Sequence, residues 1–160
     1  MHAPIVAGAP EPGLAGILSD LRFGMPVLIN ADAVPDGAAI IARSTSFAEG
    51  AFAEGIPGKL IVTLIKAAPP GLQDFALHQS AAIVWAFTRQ AALQWAPRRI
   101  RVNAVGLGAS PFGPFEADAQ AGRAACACPA APAGFTDIAA AIRAFADMPS
   151  MTGQIIRLGA

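Results

Sequence analysis

The sequence predicts an α/β fold: a three-layer α/β/α sandwich built on a mostly parallel sheet of five to six strands. Three observations predict it. Short apolar, β-branched runs alternate along the chain with segments of helical period, the pattern of strands joined by crossover helices. Residues 59–65 (KLIVTLI) are apolar almost throughout, as a central parallel strand covered on both faces must be. The 160 residues are 54% hydrophobic and 14% charged, which excludes a disordered chain and fits one domain with a sizeable core.

Taken in order, residues 3–7 (APIVA) read as a short buried strand ending at Gly8. The loop GAPEPG follows. Residues 14–23 (LAGILSDLRF) place Leu14, Ile17, Leu18 and Leu21 at helical spacing, with Gly24 as the stop signal. Residues 27–30 (VLIN) make a second strand closing on Asp32, so the first 32 residues form one βαβ unit. Residues 38–42 (AAIIA) are expected to form a strand. Residues 46–55 are expected to form a short helix, with Ser46 and Glu49 in a capping-box pattern. After the strand at 59–65, Pro69-Pro70-Gly71 interrupts the chain, and residues 72–95 make the longest helix, ended by Pro97. Residues 100–105 (IRVNAV) form another strand, and 106–134, rich in Gly, Pro and Ala, a long loop. Residues 136–147 make a helix with Thr136 as N-cap, and 153–158 a closing strand.

The totals limit function. Eleven basic residues balance eleven acidic ones, so there is no basic footprint for nucleic acid, and near-zero charge favours self-association. No apolar run approaches the roughly 20 residues of a membrane-spanning helix. The N-terminus lacks the charged and apolar regions of a secretory signal, so a soluble, cytoplasmic protein is expected. Cys126 and Cys128 are too close in sequence to bridge without strain. With only His2 and His78 in the chain, a metal site lacks ligands.

The segment AAIVWAFTRQAALQWAPRRIRVNAVGLG resembles the long helix and following strand of the short-chain dehydrogenase/reductases. DIAAAIRAFADMPSMTGQIIRLGA is similar to the same family's last helix and strand, and IVAGAPEPGLAGILSDLRFGMPVLINAD to its first βαβ unit. The resemblance implies a reduced Rossmann-like domain over 1–160, with the family's middle strands and helices largely deleted between 33 and 58. It also implies where the family's catalytic groups fall. Anchored on Thr88-Arg89 and Arg101-Val102-Asn103, the tyrosine falls on Leu77, the lysine on Ala81, and the serine on Leu64, or on Ile65 if the loop differs by one. Leucine and alanine carry no proton donor, acceptor or charge, and the chain has no tyrosine at all. Gly8 and Gly13 remain from the glycine loop and Asp32 stands where a ribose-binding acid is expected. Pro10, Pro12 and Glu11 disfavour a pyrophosphate there. Leu107-Gly108 replaces the Pro-Gly that meets the nicotinamide.

The resulting expectation is a catalytically inactive relative that binds no cofactor and acts as a structural or regulatory subunit. It would self-associate, or pair with a full-length active relative, through the 72–95 helix and the C-terminal strand. Ile83, Val84, Trp85, Phe87, Leu93 and Trp95 make that helix apolar around most of its circumference, which requires burial on more than one side. Two alternatives stand beside it. One is a small-molecule site rebuilt in the crevice with His78, Asp32 or the cysteines. The other is an NAD(P)-dependent oxidoreductase with a non-standard active site.

Overall fold

A computed structural model describes residues 1–10, 12–32, 36–54, 58–66, 75–107 and 134–158. Their elements run β1 (Ile5–Ala7), α1 (Pro12–Asp20), β2 (Val27–Asn30), α2 (Gly37–Glu54), β3 (Lys59–Lys66), α3 (Phe75–Trp95), β4 (Ile100–Leu107), α4 (Phe135–Asp147) and β5 (Ile155–Leu158). All strand pairs are parallel. Among the described residues the sheet has five strands in the order β1-β2-β3-β4-β5, as the alternation of strand and helix patterns predicts.

β3 and β4 are paired over eight residues, from Lys59 opposite Ile100 to Lys66 opposite Leu107. Their alternate side chains enter two separate layers. Leu60, Val62, Leu64, Val105 and Leu107 pack with Leu14, Leu18 and Leu21 of α1 and with Ile138, Ile142 and Phe145 of α4. Ile61, Ile65, Val102 and Ala104 face the other way, toward Ile40 and Ala48 of α2 and Ala81, Val84, Ala91 and Trp95 of α3. The near-continuous apolar run of β3 is the consequence of burial on both faces.

One expectation fails between 37 and 54. No strand forms at 38–42; a single helix covers the whole stretch. Asp36 caps it, its Oδ1 accepting from the N–H groups of Ala38 (2.9 Å) and Ala39 (3.2 Å). Ile40, Ser44 and Ala48, four residues apart, form its buried stripe. Gly37 lets α2 approach α3, since a Cβ there would stand 3.0 Å from Ile83 Cγ2. Two smaller corrections concern helix ends. α1 ends at Asp20, before Gly24, because Phe23 turns back to exchange backbone hydrogen bonds with His2. The N-cap of α4 is Gly134 rather than Thr136, its N–H donating to Asp137 Oδ2 at 2.8 Å.

The charged and polar residues of β4 secure the last βαβ unit. Arg101 reaches under the end of α4. It donates to the carbonyls of Phe145, Met148 (2.8 Å) and Ala146 (3.1 Å). A cation there satisfies the orphan carbonyls and the helix dipole, and burial pushes its guanidinium pKa below the usual arginine value. Asn103 is fully buried; it accepts from Gln154 N–H (3.0 Å) and donates to the Met151 carbonyl (3.1 Å), which holds the turn entering β5.

The helices divide between the two faces while the strands advance in one direction. α1 and α4 lie on one face, α2 and α3 on the other. Connections that step the same way across a sheet over opposite faces have opposite hands. Two of the four crossovers therefore have the hand that parallel connections almost never adopt.

Candidate functional site

In open parallel sheets, ligands bind beyond the carboxyl ends of adjacent strands whose loops leave toward opposite faces. This sheet has that divergence at β1/β2, where α1 and α2 separate, and at β3/β4, where α3 and α4 separate. The segments that flank the second, 67–74 and 108–133, lie outside the described residues, and so do Cys126 and Cys128. The first is described on both lips apart from residues 11 and 33–35.

β1 ends at Ala7, whose carbonyl accepts from Ala31 N–H at 2.9 Å. Gly8 then turns with φ +99°, a conformation that an L side chain rarely adopts. Its missing Cβ leaves room for Asp32: a Cβ would lie 2.5 Å from Asp32 Oδ1 and 3.1 Å from the Asp32 backbone nitrogen. Gly13 is a different case. A Cβ there would stand 2.7 Å from Cε2 of Phe135, so this glycine admits α4 against the first turn of α1. Pro12 is the first residue of α1, the position at which a proline is best tolerated. Beyond it, the first-turn N–H groups of Gly13 and Leu14 remain at the positive end of the helix.

Asp32 follows β2, which lies between β1 and β3. In a doubly wound sheet of order 3-2-1-4-5-6, the ribose-binding acid ends the second strand, on the far side of the first. Asp32 therefore reaches the glycine turn from the opposite side to the one expected. It forms an ion pair with Arg43 of α2, the two side chains being 16% and 31% exposed. Arg43 Nε donates to Asn30 Oδ1 at 3.2 Å. Asn30 Nδ2 in turn donates to Ser44 Oγ (3.0 Å) and Thr63 Oγ1 (3.3 Å). Asn30, Ser44 and Thr63 are all fully buried.

Sequence reasoning missed Arg43 and this network. Its signal was a polar residue in each of two apolar strand runs, Asn30 in VLIN and Thr63 in KLIVTLI, which the register places opposite one another. Buried polar groups require partners, and these point at each other and at α2.

Of the relic catalytic positions, Leu64 is buried in the layer of α1 and α4, whereas Ala81 is buried on the other face with Ile40, Ile65 and Val84. The two do not meet across one site. Ile65, the alternative serine position, shares the face of Ala81. The side chains of Leu77 and His78 lie outside the described residues. The six apolar residues expected at an interface also divide. Val84 and Trp95 belong to the chain's own core, and Phe87 is partly packed there, edge-on to Trp95 at 5.9 Å. Trp85 is half-buried under Arg157 of β5, whose guanidinium carbon stands 4.6 Å from the ring centroid, and its buried Nε1 has no hydrogen-bond partner among the described residues. Ile83 (42% exposed) and Leu93 (75%) are the two that face outward.

A groove of about 570 Å³ between α1 and α4, lined by Ile17, Asp20, Thr136, Arg143 and Asp147 among others, contains none of the residues expected at the site. No helix among the described residues is long and apolar enough to cross a membrane.

No family model matches the sequence, and no curated protein does. Solved structures do match. A 4-hydroxyisoleucine dehydrogenase complexed with NADH is 17% identical with a TM-score of 0.68, over 84% of this chain and 67% of that one. The FolM alternative dihydrofolate reductase 1 of Brucella canis, complexed with NADP, is 23% identical with a TM-score of 0.61, over 82% and 60%. A short chain dehydrogenase/reductase family protein is 20% identical with a TM-score of 0.57, over 82% and 64%. The chain spans about two thirds, or less, of each of these proteins.

These matches overturn the expectation that no cofactor belongs here, since two of the three matched chains carry NADH or NADP. The physical reason lies in the loop. Pro12 opens a helix rather than interrupting a phosphate cradle, and Gly8 keeps the turn that lets backbone approach a ligand. The chain has the fold of the short-chain dehydrogenase/reductases.

Proposed function

We propose that the chain is a member of that family which binds a nicotinamide dinucleotide at the β1/β2 crevice. One observation carries the reading: the positive-φ turn at Gly8 stands four residues before the helix start at Pro12, with the Asp32 carboxylate against the turn. The turn allows close backbone approach, the first-turn N–H groups receive phosphate, and the carboxylate accepts from sugar hydroxyls. When bound, the dinucleotide supplies hydride transfer. The neighbours solved with NADH and NADP support this reading.

In the same reading, the missing segment falls between α1 and β2 rather than between 33 and 58. β2 occupies the place of a fourth strand beside β1, and the next unit, α2–β3, is intact at full length.

A second feature bears on activity. The tyrosine of the family's proton relay is absent from the chain, and the described positions Leu64, Ile65 and Ala81 are buried apolar side chains. A dinucleotide-binding subunit that serves another chain is consistent with that, and Ile83 and Leu93, exposed on α3, offer the apolar contact. An oxidoreductase with a non-standard proton donor is the rival reading, favoured by the neighbours' cofactors.

Fluorescence titration of the purified protein with NADH and NADPH tests the proposal. Saturable binding at one equivalent per chain, without carbonyl turnover, is the expected result. Absence of binding at millimolar nucleotide would end the binding claim, and steady turnover would replace the subunit reading with the enzyme.

A further inference from the structure

We infer that Arg43 is an anion-recognising and specificity-determining residue of the β1/β2 crevice, presenting a pre-set guanidinium edge to a phosphate. The inference rests on the dinucleotide-binding reading and deepens it.

The argument begins at Asn30. This side chain is fully buried and held by Ser44 Oγ and Thr63 Oγ1, so its Oδ1 is fixed in position. That oxygen accepts from Arg43 Nε. A guanidinium fixed through Nε has a defined plane, and its outer edge points away from the anchor. At that edge Nη2 pairs with Asp32, while Nη1 has no partner among the described residues. The side chain stays about one third exposed, more than the carboxylate it pairs with. Asp32 itself lies against the Gly8 turn. The edge of Arg43 thus stands beside the glycine turn, on the lip opposite α1.

The local charge balance leads to the same assignment. Asp32 alone would repel a phosphate at this turn. Paired with Arg43, it is neutralised and also helps to orient the fork, and the remaining N–H groups give a second oxyanion its donors. Arginine suits this task better than lysine, because its planar fork meets phosphate oxygens with two parallel hydrogen bonds. The buried polar ladder beneath it has an evident purpose on this view. Three buried polar side chains in an otherwise apolar layer are costly unless fully paired, and here they set the direction of one cation.

The anion is a phosphate group, and a dinucleotide carries two kinds: the pyrophosphate common to NAD and NADP, and the 2′-phosphate of NADP alone. Calorimetric titration of wild type, Arg43→Ala and Arg43→Lys with NAD, NADP, 2′,5′-ADP, ADP and inorganic pyrophosphate distinguishes them. Loss of a charge-assisted contact predicts that Arg43→Ala weakens the phosphate-bearing probes by about 10- to 100-fold, with Arg43→Lys intermediate. A loss confined to NADP and 2′,5′-ADP assigns the 2′-phosphate. An equal loss for NAD, ADP and pyrophosphate assigns the pyrophosphate. Circular dichroism and melting of each variant separate binding from folding. The salt dependence of affinity should also become shallower in Arg43→Ala.

Unchanged affinities for all probes in a folded Arg43→Ala would overturn the inference while leaving dinucleotide binding intact. If wild type binds pyrophosphate through Arg43 but no dinucleotide, the inference stands and the dinucleotide reading fails. If wild type binds none of the probes, both fall.

Discussion

Replacing Gly8 by alanine should destabilise the protein by about 2–5 kcal/mol, in two parts that a second substitution separates. The first part is conformational: an L residue held at φ +99° loses roughly 1–2 kcal/mol relative to glycine. The second is steric. The new methyl would stand 2.5 Å from Asp32 Oδ1, 2.7 Å from its Cγ and 3.1 Å from its backbone nitrogen, and such overpacking costs about 1–3 kcal/mol. The carboxylate cannot simply swing aside, because Arg43 holds it. In an Asp32→Ala background the two closest contacts vanish while the backbone term and the φ term remain. Gly8→Ala should therefore cost about 1–2 kcal/mol less there, most but not all of the steric term, although Asp32→Ala by itself removes only a part-exposed ion pair worth up to about 1 kcal/mol. Urea denaturation followed by circular dichroism gives all four corners of the cycle. Thermal melting should show a fall of roughly 4–20 °C for the single Gly8 variant. A zero coupling term would show that the carboxylate does not lie over the turn. A neutral Gly8→Ala would show that the backbone there is not left-handed, and the glycine-turn argument for the site would go with it.

Two further predictions concern other parts of the chain. Arg101→Met should cost about 2–4 kcal/mol, since it strips charged donors from the carbonyls at the end of α4; amide exchange should accelerate first in the last turn of α4, and uniform acceleration would argue against a local cap. Ile83→Asp with Leu93→Asp should lower the sedimenting mass of any oligomer and leave the circular dichroism spectrum unchanged, whereas Val84→Asp, fully buried, should cost about 4 kcal/mol or more and unfold much of the protein. An unaltered mass in the double variant would remove α3 from the interface.

The parts of the fold that were legible in the sequence are those where one local signal was undisputed. KLIVTLI reads as a strand because β-branched residues are continuous and no helical stripe competes; it became β3, buried on both faces. The stretch GAAIIARSTSFAEGAFAE carried two signals. The adjacent isoleucines at 40 and 41 imitate a strand, and the glycine at 50 weakens a helix. What decides is the wider stripe of Ile40, Ser44 and Ala48 together with the Asp36 cap, and the polar Ser44 hid that stripe from a reading based on hydrophobicity. Ser44 is buried because Asn30 donates to it, a partner fourteen residues away that no local window contains. The same long-range pairing hid Arg43.

The location of the candidate site depended on something the local pattern does not encode. An amphipathic helix shows which of its own sides is apolar, but not which face of the sheet will receive it; that is set by the hand of the crossover. The rule of right-handed connections would have sent all four helices to one face of a sheet that advances in one direction. Such a chain would leave the other face bare and would have no diverging loops. The observed division of α1 and α4 from α2 and α3 covers both faces, and it opens a crevice where each pair of helices parts. The two connections of the rare hand are thus tied to the existence of the crevice. The excision of strands and helices between α1 and β2 would make one of them, turning a first and a fourth strand into direct neighbours. On that account, a shortened chain keeps the glycine turn and gains Asp32 and Arg43 on the opposite lip.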